Sequence, residues 1–188
     1  QGQSDYNITI NSDATLSCNC QDYDGSGHFG DLSKQSFSEA FFGPTAQKFR
    51  ELLDKGKLPI PTCARCVELR RVPKDSDAVP VAVLPKKGLL LENTVRCNVD
   101  CIGCAREQAA SIRIGRQIQM PLAQMTNMAD VTAELDLEKI HYLNQGEPFL
   151  SPTICEELPL LRRRNPRAQI ILSTNGVLLD SDAKRQAA

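Results

Sequence analysis

Short segments of alternating polar and apolar residues characterise the N-terminal third of the chain. In "YNITI" and "DATLSCNC" this alternation predicts two strands, joined by a turn at "NSD". The glycine-rich stretch "DYDGSGHFG" predicts a loop. These elements are too short to bury much apolar surface by themselves.

Two helix signals follow this loop. Ser36 and Glu39 have the spacing of a capping box, in which each side chain satisfies a backbone N–H at the start of a helix. In "TAQKFRELLDKG" apolar residues recur on one helical face, and Gly56 suits the end of that helix. We expect a small α+β module whose thin core would need cross-links from a metal cluster.

After "RRVPKDSDAVP" the pattern changes to longer apolar strands that alternate with helices. A helical region is predicted over most of 120–136, and a second helix from Ser151 as N-cap and Pro152 as first residue through about Arg164. This order predicts parallel βαβ units. The predicted strands are "GLLLENTV", "KIHYLNQGEP" and "AQIILSTNGV".

Each of these strands ends in a polar motif. The first delivers the chain into "VRCNVDCIGCAREQ", the second into "QGEP" and the third into "STNG". Because parallel strands have their carboxyl ends at the same edge of a sheet, where such sheets bind ligands, we expect the three motifs to meet there.

The composition excludes several classes of protein. The 188 residues are 41% hydrophobic and 24% charged, with a net charge of −1, so no basic excess points to nucleic acid. No apolar run approaches the roughly 20 residues that a membrane span needs. The start lacks both a Met and a secretory h-region, and we expect the chain to be a piece of a longer protein.

Eight cysteines are many for a chain of this size, and seven of them fall in close groups. Disulfides join distant segments, whereas a metal site needs several thiolates at one point, so the grouping favours metal. Cys155 stands apart inside a predicted helix, and we expect it to be a buried, inert thiol.

Cys97, Cys101 and Cys104 have the spacing C-x3-C-x2-C, which supplies three ligands rather than four. A structural zinc or an electron-transfer [4Fe–4S] cluster normally uses four protein ligands. A set of three leaves one coordination position open for a small molecule. We therefore expect a cluster with one iron that binds substrate or cofactor.

"CNVDCIGC", "QGEPFLSP" and "ILSTNG" resemble, in this order, the motifs of the radical S-adenosylmethionine (SAM) enzymes. The resemblance implies a partial (β/α)6 barrel in which the three cysteines hold a [4Fe–4S] cluster that binds SAM. It places Gly146 and Glu147 at the methionine amino group, and Ser173 and Asn175 near the ribose or carboxylate. Gln145 stands where the family usually has a first glycine, and Gly103 where it often has an aromatic residue.

The same resemblance implies the chemistry. One electron cleaves the sulfonium bond of SAM, and the resulting 5′-deoxyadenosyl radical abstracts a substrate hydrogen, while the protein positions the reactants and excludes water. The electron would come from a donor such as flavodoxin or ferredoxin. An oxygen-sensitive cluster implies a cytoplasmic location. No residue of the chain is assigned a catalytic role.

The first module has its own four thiolates, in a CxC and a CxxC. Their spacing suits a structural zinc or an auxiliary iron–sulfur cluster. Residues 8–68 resemble a SPASM domain, a module that normally follows the radical SAM barrel but here precedes it. The resemblance implies an auxiliary [4Fe–4S] cluster, and the expected ligands are Cys18, Cys20, Cys63 and Cys66.

We therefore predict a SPASM-like module over 1–72, a linker over 73–84 and the first half of a radical SAM barrel, about three strands, over 85–188. Such a fragment is expected to be incomplete as an enzyme. The substrate would be a peptide, a protein or a small molecule, with peptide modification preferred. The alternative is a non-catalytic zinc- or iron–sulfur-binding interaction module.

Overall fold

A computed structural model of the chain describes residues 8–22, 25–67, 69, 71–73, 82–104, 106 and 118–188. In these residues the chain forms six strands and five α-helices, with 3-10 turns at Pro61–Arg65 and Pro148–Leu150. In chain order they are β1 (Thr9–Ile10), β2 (Thr15–Ser17), β3 (His28–Asp31), α1 (Phe37–Phe42), α2 (Pro44–Asp54), β4 (Gly88–Leu91), α3 (Leu122–Leu135), β5 (Lys139–Tyr142), α4 (Ile154–Arg164), β6 (Gln169–Leu172) and α5 (Asp182–Ala187).

All six strands belong to one sheet, in the order β3-β2-β1-β4-β5-β6. The strands β4, β5 and β6 are parallel, as predicted from the alternation of strands and helices. The hairpin of the first module extends this sheet, because β1 pairs antiparallel with β2 and parallel with β4. This joining of the two predicted modules into one sheet was not foreseen; the division at 73–84 stays a prediction, and residues 74–81 lie outside the described ones.

Burial explains why β1 and β4 are neighbours. All four residues of β4 are buried, which is typical of a strand with neighbours on both sides. The amide of Leu90 donates to the carbonyl of Ile8 (3.0 Å), and the amide of Glu92 donates to that of Ile10 (2.9 Å). The first module therefore satisfies the hydrogen-bonding edge that β4 would otherwise leave open. A single hydrophobic core runs beneath both parts of the sheet.

The helix signals of the first module are confirmed. The Ser36 side chain accepts from the amide of Glu39, and the Glu39 carboxylate accepts from the amide of Ser36 (2.7 Å), so the capping box is present. Gly56, just after α2, has φ of 69°, the left-handed conformation that favours glycine at a helix end.

Three sequence predictions were wrong in detail. The end of the predicted loop is the strand β3, because its backbone pairs with β2. The helix α4 begins at Ile154, with Thr153 rather than Ser151 at the N-cap; the hydroxyls of both residues donate to the Glu157 carboxylate (2.5 Å from Ser151 and 2.7 Å from Thr153). Cys155 is exposed rather than buried, because it lies on the outer face of α4. In the part of the chain that the structure describes, no helix combines the length and apolarity of a membrane span.

Candidate metal centre and cofactor site

The three polar motifs meet at the carboxyl edge of β4, β5 and β6, as predicted. The buried carboxylate of Glu147, in the loop after β5, is the centre of this meeting. Its Oε1 accepts from the hydroxyl of Thr174 (2.7 Å), and its Oε2 accepts from the amide of Asn175 (2.7 Å). Glu147 therefore ties the "QGEP" loop to the "STNG" loop. Such buried charge is tolerated because several donors surround it.

Gly146 has a steric reason to be glycine. A Cβ at this position would collide with the carbonyl oxygen of Thr94 and would lie 2.8 Å from that of Arg96. The amide of Glu147 donates to the same Arg96 carbonyl (2.8 Å). The "QGEP" loop thus lies directly on the backbone that leads into the first cluster cysteine, Cys97.

The loop after β4 presents its three thiols toward solvent. Cys101 and Cys104 are exposed and Cys97 is half-buried, and the amide of Cys104 donates to the carbonyl of Cys101 (2.9 Å). Among the described residues, no heavy atom lies within 4 Å of a Cβ built on Gly103. Three accessible thiols with open space beside them fit an iron–sulfur cluster that keeps one iron for a further ligand.

Asn175 connects this cysteine loop to the third motif. Its Nδ2 donates to Oδ1 of Asn98 (2.8 Å) and lies 3.9 Å from Sγ of Cys97, a weak hydrogen bond to sulfur. Ser173, the other residue expected near SAM, is exposed at the end of β6. The structure brings Asn175 to the cluster loop; the cofactor contacts of Gly146, Glu147, Ser173 and Asn175 stay predictions.

Sequence reasoning missed a second buried carboxylate beneath the "QGEP" loop. Glu157, on α4, is fully buried and accepts hydrogen bonds from four side chains. One of these donors, Asn93, also donates to the carbonyl of Pro148 (3.2 Å) and so supports the loop itself. The donors are Tyr142 (2.5 Å), Ser151 (2.5 Å), Thr153 (2.7 Å) and Asn93 (2.9 Å). A Glu inside an amphipathic helix was the only sequence signal, and it did not distinguish a buried face from an exposed one.

Burial and the adjacent Glu157 carboxylate raise the pKa of Tyr142 well above its usual value. The phenol therefore keeps its proton and acts as a donor. Because the phenol donates to the carboxylate, Tyr142 and Glu157 are linked under the loop.

In the first module, three of the four predicted ligands interact electrostatically with one another. Burial is the main cause that raises the pKa of the Cys18 thiol, and the nearby Asp22, Cys63 and Cys66 raise it further. Burial also raises the pKa of Cys63. Thiolates crowded beside a carboxylate repel one another, and bound iron or another cation offsets that repulsion. This donor set fits the auxiliary iron–sulfur cluster implied by the sequence.

Asp22 holds the loop around Cys18. Its carboxylate accepts from the amide of Gly27 (3.0 Å to each oxygen) and from the hydroxyl of Ser17 (2.9 Å). Cys20, the remaining predicted ligand, has its Sγ 3.5 Å from Oδ1 of Asn19. Within the described ranges, no three His, Cys, Asp or Glu side chains have the arrangement that holds a single metal ion.

Comparison with known families agrees with this geometry. Residues 91–188, just over half of the chain, match the family model of the radical SAM superfamily, and residues 2–67 match that of SPASM, an iron–sulfur cluster-binding domain. The chain belongs to the radical SAM superfamily. The family resemblance and the mixed α/β fold with a partial barrel are thereby confirmed.

One curated relative is the "Probable GTP 3',8-cyclase" of Methanothermobacter thermautotrophicus, which is 33% identical over 96 residues. The alignment covers 51% of this chain and 30% of the relative, so the chain spans less than a third of that protein. No solved structure matches the chain.

Membership of the superfamily defines the class of protein and its cofactors. Its cofactors are those of the radical SAM superfamily, a [4Fe–4S] cluster and SAM, and its SPASM module adds an auxiliary iron–sulfur cluster.

Proposed function

We propose that this chain forms the SAM-cleaving half of an enzyme that abstracts hydrogen from a peptide or protein substrate. The observation that supports this most directly is the contact of Glu147 with Thr174 and Asn175, which brings the three family motifs to one edge. When bound, the cluster and SAM supply the electron transfer and the radical chemistry.

The residues of the chain have distinct tasks in this proposal. Cys97, Cys101 and Cys104 hold the cluster, and the Gly146–Glu147 backbone lies against the segment between β4 and Cys97. The exposed Ser173 and the Asn175 amide group lie at the same edge, where they would orient the bound SAM. Because Glu147 is buried and engaged by protein donors, its task is to fix the loops rather than to move a proton.

The peptide substrate is the preferred proposal because the auxiliary module is built into the sheet. Pairing of β1 with β4 brings a SPASM module directly beside the SAM half. The resemblance to SPASM-containing enzymes implies peptide and protein substrates as well as small molecules, and a substrate that spans both parts would be a peptide. A nucleoside triphosphate is the second candidate, favoured by the identity to the relative named for GTP cyclisation. We further propose flavodoxin or ferredoxin as the electron donor and a reducing, cytoplasmic compartment.

Iron analysis tests the two clusters. On anaerobically reconstituted protein we expect about eight irons per chain, falling to about four when Cys97, Cys101 and Cys104 are all changed to Ala. Changing Cys18, Cys20, Cys63 and Cys66 together should remove the other four or so. Cys155→Ala, a change to an exposed thiol outside both sets, is the matched control and should leave the iron unchanged. Zinc in place of iron in both sets would contradict the proposal.

Product analysis then tests the reaction and the substrate. With dithionite or flavodoxin and SAM, reconstituted protein in which this chain is joined to the rest of the barrel should release 5′-deoxyadenosine, and its triple cysteine variant should not. Deuterium transferred into 5′-deoxyadenosine from a deuterated peptide library would support the peptide substrate, whereas transfer from deuterated GTP would support the second candidate. Absence of 5′-deoxyadenosine from the iron-loaded protein would contradict the activity.

A further inference from the structure

Glu92 has a position that neither the motifs nor the family match explains. It follows β4 directly, and its side chain is 1% exposed. Its Oε2 accepts from the amide of Ser12 (3.1 Å), and its Oε1 accepts from the amide of Gln145 (3.3 Å). One buried carboxylate therefore receives backbone donors from two loops that are far apart in sequence.

The first of these loops belongs to the auxiliary module. Ser12 lies in the turn between β1 and β2, where the amide of Ala14 donates to the carbonyl of Asn11 (2.8 Å). The strand β2 then runs directly into Cys18, the first predicted ligand of the auxiliary cluster. A displacement of this turn would therefore act on the strand that positions Cys18.

The second loop belongs to the SAM site. Gln145 begins the "QGEP" motif, and the next residue, Gly146, lies against the carbonyl of Thr94 without room for a side chain. The "QGEP" loop therefore cannot move closer to the backbone at Thr94. The hydrogen bond from the Gln145 amide to Glu92 limits how far the loop can move away from it. Charge-assisted hydrogen bonds of this kind are stronger than neutral ones, and a buried carboxylate is stabilised by each of them.

We propose that Glu92 is a positioning residue that couples the auxiliary module to the SAM-binding loop, so that SAM affinity depends on the hydrogen bond donated by Ser12. This inference rests on the proposed function, because it takes the "QGEP" loop to bind SAM. The coupling passes through the carboxylate: loss of the Ser12 donor removes one of the hydrogen bonds that hold Oε2, and the side chain shifts away from Gln145.

A matched pair of variants at Ser12 isolates this hydrogen bond. Ser12→Pro removes the N–H donor at the second position of a β-turn, where proline is favoured, and Ser12→Ala keeps the N–H while removing the hydroxyl. Glu92→Gln places an amide N–H against one of the two backbone donors. Glu138→Gln, which makes the same chemical change at an exposed position just before β5, is the control for Glu92→Gln.

Two measurements are made on each variant: hydrogen–deuterium exchange of the Gln145 amide in the protein without SAM, and the SAM dissociation constant from the change in the EPR spectrum of the reduced, reconstituted protein. We expect Ser12→Pro and Glu92→Gln to raise both the exchange rate of the Gln145 amide and the SAM dissociation constant by about tenfold. This is the effect of losing one charge-assisted hydrogen bond. Ser12→Ala, which keeps the backbone donor, should change both quantities less than Ser12→Pro does, and Glu138→Gln should match the wild type in both. Iron content and circular dichroism should be unchanged throughout.

Each other outcome overturns the coupling. Wild-type exchange at Gln145 in Ser12→Pro would show that the turn does not act on the loop. Faster exchange with an unchanged SAM dissociation constant would show that the loop position does not set SAM affinity. Failure of the wild type itself to bind iron or SAM would overturn the proposed function as well, and the exchange data, which need no cofactor, would tell that failure from a failure of Glu92.

Discussion

The Glu147 carboxylate accepts a hydrogen bond of 2.7 Å from the hydroxyl of Thr174. Thr174 follows β6, whereas Glu147 follows β5, so this contact joins the loops after two neighbouring parallel strands. The same carboxylate accepts from the amides of Phe149 (3.0 Å) and Asn175 (2.7 Å). A residue expected to serve the cofactor is thus also the principal connection between two of the motifs that surround it.

Replacement of Glu147 should therefore destabilise the fold as well as the site. Glu147→Ala leaves several buried donors without their acceptor, and we expect a loss of about 2–4 kcal/mol in the free energy of unfolding, measured by urea denaturation. Glu156→Ala, at an exposed position of α4, should change it by no more than about 0.5 kcal/mol. Equal stability of the two variants would show that the Glu147 contacts contribute nothing.

Gly146 and Gly103 form a matched pair for the cysteine loop. Gly146→Ala forces a methyl group against the Thr94 carbonyl and should displace the loop that leads from β4 into Cys97, so iron at the three-cysteine site should fall. Gly103→Ala has open space among the described residues and should retain iron, as measured by iron and sulfide analysis. Full iron loading and SAM binding in Gly146→Ala would contradict the close packing seen here.

Gly27 should matter in the same way for the auxiliary site. A Cβ at Gly27 would lie 2.7 Å from Sγ of Cys18 and 2.9 Å from Cδ1 of Ile60, so Gly27→Ala pushes the thiol from its place. We expect the variant to lose the auxiliary iron, about half of the total, and to keep the three-cysteine cluster. Mössbauer spectra of the reconstituted variant measure the iron that remains in each of the two clusters. Loss of the other cluster instead would be the contrary result.

Tyr142 should make stability fall at alkaline pH. Its pKa is raised in the folded protein by burial and by Glu157, whereas in the unfolded chain it titrates near its ordinary value of about 10. The stability that it contributes is therefore present below about pH 10 and is lost above it, by up to about 1.4 kcal/mol per pH unit.

Tyr142→Phe tests this dependence. The variant lacks the hydrogen bond to Glu157 and should be about 1–3 kcal/mol less stable at pH 8, where the wild type keeps the phenol protonated. Between pH 10 and 11.5 its urea midpoint should decline less steeply than that of the wild type. Parallel declines would show that Tyr142 ionises as freely in the folded protein as in the unfolded chain.

The elements of the second half were predictable because their signals are local. Apolar runs of four residues, helical periodicity and ligand spacing are all read within one segment, and β4, β5, β6 and α3 lie close to where they were expected. The N-cap of α4 was misplaced because Ser151 and Thr153 are both suitable cap residues. The Thr153 side chain makes no capping hydrogen bond and, like that of Ser151, donates to Glu157, whose position is decided by tertiary packing.

The pairing of β1 with β4 was not predictable in the same way. Strands pair through backbone hydrogen bonds, which do not depend on the side chains. The alternating pattern around Ile8 and Ile10 would be the same if the first module formed a sheet of its own. Likewise, nothing in the sequence around Glu92 distinguishes a carboxylate that joins two loops from one that faces solvent.

By itself, the sequence determined the two cysteine sets, the order of the motifs and the parallel βαβ arrangement, because spacing and hydrophobic period are properties of contiguous residues. Only the tertiary structure decided the single sheet and the tasks of Glu92, Glu147 and Glu157. The physical reason is that a buried carboxylate is stable only where several hydrogen-bond donors converge on it. The donors to these three carboxylates come from strands and loops that are far apart in the sequence.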